Sequence, residues 1–142
     1  MYRRILVALE NGPADERLLP HISQLAQQVG ASLLLLHVAD GWAARNFEQL
    51  KLAESAEMRA DTEYLESTAA QLRATGVPVE FQLALGNPPD EIVRVAAESG
   101  CDLIALASHG HKLIGDIVYG STIDKVRHNT SIPLLVVSAV VK

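Results

Sequence analysis

The sequence predicts one α/β domain: a doubly wound, open sheet of five parallel strands with helices on both faces. Three observations carry this. Five short apolar runs, Ile5–Leu9, Ser32–Val38, Val77–Leu85, Leu103–Ala107 and Leu134–Val137, alternate with segments of helical periodicity. Most of the runs are continuous rather than alternating, as strands covered on both faces are. The chain has 142 residues, a size that suits a single domain over 1–142, and it contains no linker, internal repeat or low-complexity stretch. Right-handed crossovers then wrap the helices onto both sides of the sheet.

The first run follows Met1-Tyr2-Arg3-Arg4 directly and is too short for a signal segment. From Ala14 to Val29, Leu18, Leu19, Ile22, Leu25, Ala26 and Val29 form a one-sided helical stripe, which Gly30 stops. After the second run, Asp40 to Phe47 (Asp-Gly-Trp-Ala-Ala-Arg-Asn-Phe) reads as a mobile loop or lid. A long helix follows from about Glu48. Its first half is rich in Glu and Ala, and its second half, with Tyr64, Leu65, Thr68 and Leu72, is amphipathic and ends at Gly76. The third run alternates through Val79-Glu80-Phe81-Gln82-Leu83, the pattern of a half-exposed edge strand. The third helix has Asn87 as cap, Pro88 in the first turn, acidic Asp90 and Glu91, and a buried face of Ile92, Val93, Ala96 and Ala97. The last helix is expected to begin near Gly120-Ser121, where Ser121-x-x-Asp124 approximates a capping box.

Composition narrows the function. Apolar residues make up 49% and aromatics only 4%, so the core is aliphatic. The net charge of −5 argues against a broad grip on nucleic acid. No run approaches membrane-spanning length, and a soluble, cytoplasmic chain without nucleic-acid or membrane partners is expected. Cys101 is the one cysteine, which excludes an internal disulfide, and a small buried hydrophobe is its expected role.

In an open α/β sheet, ligands bind beyond the carboxyl ends of the strands, where the strand order reverses. The segments there are Glu10-Asn11-Gly12-Pro13, Val38-Ala39-Asp40 and Ala107-Ser108-His109-Gly110. The last continues through His111-Lys112 to Gly120-Ser121-Thr122. Gly110 and Gly120 would let backbone approach an anion, Ser121 and Thr122 would donate hydroxyls, and His111 and Lys112 would add positive charge. The same glycines would equally serve turns. No Gly-Lys-Ser/Thr occurs, so this is not a P-loop.

Ala107-Ser108-His109-Gly110, nine residues, then Gly120-Ser121 resembles the nucleotide signature of the universal stress proteins. Lys125-Val126-Arg127-His128, Ile132-Pro133-Leu134-Leu135-Val136-Val137, Leu85-Gly86-Asn87-Pro88 and Ile5–Leu9 are similar to other blocks of that family, so the resemblance spans essentially the whole chain. It implies the strand order 3-2-1-4-5 of a Rossmann-like, adenine nucleotide alpha hydrolase-like fold. It also implies ATP or AMP at the switch point; Asp40 is the candidate ligand for Mg²⁺ on such a nucleotide, against its plainer reading as a solvated loop acid. Carried onto this chain, Ala8 and Glu10 would line the base, Val38 would touch the adenine edge, and Gly110, Gly120, Ser121 and Thr122 would hold ribose and phosphates. Two positions depart from the family pattern: Ala107 stands for the signature's first glycine, and Glu10 for the usual aspartate. The resemblance further implies a homodimer formed through the C-terminal strand, whose apolar edge invites pairing.

The residues give catalysis little support. His109 and His111 lie two apart, like metal ligands, but no third ligand stands nearby. Ser108 and His109 are adjacent, so their side chains diverge and do not make a nucleophile–base pair. His37 reads as a hydrogen-bonded core residue, and Asp40 as a loop acid. A phosphorelay receiver fails because the third strand ends Ala84-Leu85-Gly86 without an aspartate. A flavin module would rest on Trp42 alone. The expected function is therefore a stress-response sensor or switch that binds an adenine nucleotide. The alternatives are a nucleotide-free interaction protein on the same scaffold and a slow ATPase.

Overall fold

The computed structural model describes residues 1–40, 47–108 and 114–139, with side chains at 1–39, 56–108 and 122–139. Its elements, in order, are β1 (Arg4–Ala8), α1 (Asp15–Val29), β2 (Ser32–Asp40), α2 (Phe47–Arg73), β3 (Val79–Gly86), α3 (Pro88–Glu98), β4 (Leu103–Ser108), α4 (Ile114–Asn129) and β5 (Leu134–Ser138). The five strands form one parallel sheet in the order β3-β2-β1-β4-β5. The chain steps outward through β2 and β3, crosses back to β4, and continues to β5. The order therefore reverses between β1 and β4, which pair through Ile5–Leu103, Leu6–Ile104 and Val7–Ala105.

The period-2 geometry of a strand sends alternate residues of each apolar run into two separate cores. Ile5, Val7, Leu33, Leu35, Leu103 and Ala105 pack against Leu18 and Ile22 of α1 and Leu65 and Ala69 of α2. Leu6, Leu34, Leu36, Ile104 and Leu106 pack against Ile92, Val95 and Ala96 of α3 and Val126 of α4. Burial on both faces is the reason the runs are continuous. β3, covered less, keeps its exposed alternation at the sheet edge. Cys101 sits in the second core, 6% exposed, and burial pushes its thiol up against the opposing pull of Arg4, so it is a packing residue.

The helix ends follow local chemistry in most places. Gly30 adopts a left-handed conformation (φ 72°) and its N–H closes α1 onto the Ala26 carbonyl. Asn87 caps α3 by accepting from the Asp90 amide, with Pro88 in the first turn. Three expectations need correction. α2 starts at Phe47, and Asp40 closes β2, so neither belongs to a loop, while the rest of the proposed lid, 41–46, lies outside the described residues. α4 starts at Ile114 rather than near Gly120-Ser121. An interior glycine costs a helix only about 1 kcal/mol relative to alanine, and the Ser121/Asp124 spacing recurs inside any helix, so neither marks a start. Finally, the buried face of α3 is Ile92, Val95 and Ala96, while Val93 is only half-buried and Ala97, on the expected face, is exposed.

Candidate functional site

At the reversal point a cavity of ≈ 480 Å³ opens beyond the carboxyl ends of β1, β2 and β4. Its sheet side is built from Ala8, Leu36, Val38 and Leu106, the ends of strands whose second-core residues run out there. Pro88 and Ile92 of α3 form one wall, and Thr122 and Ile123 of α4 another. Leu9, Glu10, His37 and Ala107 complete the rim. The surface is thus largely aliphatic with a few polar groups, in the size range of small-molecule sites.

The structure brings together five of the expected site residues: Ala8, Glu10, Val38, Ala107 and Thr122. Ala107 is 7% exposed and packs with the α1-side core, so its methyl group belongs to the face opposite the aliphatic side of the cavity. Gly110 and His111 lie outside the described residues. Gly120 and Ser121 fall within the α4 backbone, so they do not offer the free amides of a helix start. Leu36, Leu106, Pro88, Ile92 and Ile123 are lining residues that sequence reasoning missed. Nothing in the sequence distinguishes them from ordinary core positions, apart from Pro88 being next to the third strand's end.

The loop after β1 is fixed by a buried acid. Asp15, 2% exposed, accepts from the amides of Glu10 (3.0 Å) and Asn11 (2.9 Å) and from the Tyr64 hydroxyl (2.6 Å). Those bonds compensate the burial of a carboxylate and let Asn11 hold φ at 59°. Leu9 N–H donates to the Leu36 carbonyl at 2.8 Å, which continues the β1–β2 ladder into the loop. His37 is hydrogen-bonded as expected, to the Leu9 carbonyl at 2.9 Å, and also faces the cavity.

Burial, and then the bond and charge of Asp15, push the Tyr64 phenol far above the usual tyrosine value. A raised phenol value means the neutral form is favoured in the fold. Its contribution is present below about pH 10 and is lost as pH rises through the folded value. Spectrophotometric titration should find one of the three tyrosines ionising only as the protein unfolds in alkali. The Tyr64→Phe variant should lose that late step, and three ordinary titrations in the parent would contradict the buried bond.

Among the described residues, no group of three or more His, Cys, Asp or Glu side chains is arranged to hold a metal ion. No described helix is long and apolar enough to cross a membrane.

A profile of the Universal stress protein family matches residues 1–138. The chain belongs to the universal stress protein family. It is 28% identical over 159 aligned positions to the universal stress protein MJ0577 of Methanocaldococcus jannaschii, covering 96% of this chain and 95% of that one. It is 30% identical to a universal stress protein of Thermus aquaticus, covering 96% and 99% of the two chains. The solved structure of MJ0577 superposes with a TM-score of 0.83 at 26% identity, over 100% of this chain and 99% of that one. A universal stress protein from Archaeoglobus fulgidus, solved in complex with dAMP, shares the fold with a TM-score of 0.70 at 22% identity, over 95% and 97% of the two chains. The strand order expected of a universal stress protein is the one observed here.

Proposed function

We propose that this universal stress protein binds an adenine nucleotide, ATP or AMP, in the cavity at the β1/β4 reversal and acts as a stress-response sensor or switch. The observation that carries the reading is the cavity itself: ≈ 480 Å³, aliphatic on its sheet side, with Glu10, His37 and Thr122 on its borders. A flat, weakly polar base suits walls of Ala8, Val38 and Ile92. Thr122 borders the cavity; with it, Gly110, His111, Gly120 and Ser121 would hold ribose and phosphates, and Mg²⁺ would accompany a triphosphate. The Ala107 departure is compatible with this, because its side chain packs away from the aliphatic side of the cavity. The dAMP complex of a relative with the same fold lends support to the choice of base. Calorimetric titration of the purified protein with ATP and AMP tests the reading: saturable one-to-one binding is expected. No heat at millimolar nucleotide would leave the nucleotide-free interaction protein. ADP accumulating from ATP would identify the slow ATPase.

The cytoplasmic homodimer belongs to the same reading. β5 ends the sheet, and Val136 is 43% exposed on it, so a second copy could extend the sheet along this edge. Val136→Lys should shift the protein from dimer to monomer in sedimentation velocity at micromolar concentration. An unchanged dimer would place the interface elsewhere.

A further inference from the structure

One imidazole joins the β1 side of the cavity to α2. His37 Nδ1 lies 2.9 Å from the Leu9 carbonyl oxygen, and a carbonyl only accepts, so Nδ1 carries a hydrogen and donates. The other ring nitrogen, Nε2, lies 3.4 Å from Asp61 Oδ2 on α2. With its hydrogen on Nδ1, a neutral ring turns the Nε2 lone pair toward an acceptor oxygen, which is repulsive. A proton on Nε2 converts the same contact into an ion pair, between side chains only 14% and 18% exposed. Screening by solvent is reduced at such a site. The second oxygen of Asp61 accepts from Asn11 Nδ2 at 2.9 Å. One carboxylate therefore ties both the end of β2 and the loop after β1 to a single helix.

We propose that His37 and Asp61 form a proton-dependent latch. With a second proton on His37, an ion pair ties the end of β2 to Asp61; without it, this side of the cavity is joined to Asp61 by the Asn11 hydrogen bond alone. Both are positioning residues. Through Asn11 the latch adjoins Asp15 of α1, which also accepts from the Glu10 amide and from Tyr64 of α2, and β3 sets the uncharged Leu83 opposite His37 in register. Of these types only imidazole ordinarily changes charge between pH 5 and 8. The latch is thus closed when Nε2 carries its proton and open when it does not.

The first test needs no ligand. In an NMR titration of the unliganded protein from pH 5 to 8, the Asn11 side-chain amide signals should move with the same midpoint as the His37 ring, and Nδ1 should keep its hydrogen throughout. Asp61→Asn should uncouple the two, and His37→Gln should flatten the Asn11 response. An Asn11 signal that ignores His37, or a neutral ring with its hydrogen on Nε2, would overturn the latch. Its effect on ligand rests on the nucleotide reading above. Adenosine, which has no titrating phosphate, should bind about threefold tighter at pH 5.5 than at pH 8 in the parent protein and equally in Asp61→Asn. Equal affinity in the parent would overturn the link to the site, whereas adenosine failing to bind at both pH values would count against the nucleotide reading alone.

Discussion

Ala8→Phe is expected to weaken adenine-nucleotide binding by about 100-fold or more, a loss of roughly 2.7 kcal/mol, while the protein stays folded. Ala8 closes β1 opposite Leu36 and lies at the cavity, half-buried rather than enclosed in the core. A phenyl ring there has open space to enter, so it occupies the base site instead of straining the sheet. Ala8→Ser, nearly the same size, should change affinity by no more than about threefold. Calorimetry on both variants checks the pair, with thermal unfolding as the control for folding. Undiminished affinity in Ala8→Phe would mean that the nucleotide sits elsewhere.

Asp15→Ala carries the largest expected loss of stability, about 3 kcal/mol. Truncation leaves two loop amides and a part-buried phenol without their acceptor, and each such group costs about 1–3 kcal/mol where water cannot replace the partner. The loop amides lie near solvent, which keeps the total toward the low end. Tyr64→Phe removes a single bond and should cost about 1 kcal/mol. Urea unfolding measures both. A double variant no worse than Asp15→Ala would place the two side chains in one network, and full additivity would separate them. Because the same carboxylate orders Glu10 and Asn11, Asp15→Ala should also lower nucleotide affinity.

The sheet was legible because burial on two faces leaves a mark that composition alone does not. Leu33 through Leu36 can be apolar without a break only if α1 and α2 cover one face and α3 and α4 the other. The edge position of β3 was legible for the opposite reason, its Glu80 and Gln82 alternating with Val79 and Phe81. The start of α4 was not. Gly120 and Ser121 carry local signals of a helix entrance, while the residues before them continue the helix and local propensity yields to the longer element.

For the site, the topology rule pointed to the segments that hold Glu10, Val38, Ala107 and Thr122, and the family resemblance added Ala8; all five border the cavity, at or just past the carboxyl ends of β1, β2 and β4 or on α4. Ile92 and Ile123 escaped notice. Their helical spacing is that of core residues, and only the three-dimensional gap between α3 and α4 makes them cavity walls. Asp15 escaped for a subtler reason. An acid in the first turn of a helix is ordinarily explained by the helix dipole, so its sequence position gives no sign that it is buried and organises a loop.

The central claim is that the cavity between β1 and β4 holds an adenine nucleotide. The most direct measurement is to purify the protein without added ligand, denature it, and identify what it releases by mass spectrometry, alongside the Ala8→Phe variant. The account predicts ATP or AMP from the parent protein, approaching one per chain after incubation with nucleotide, and none from the variant. No adenine nucleotide from the parent, even after incubation with millimolar ATP and AMP, would contradict it.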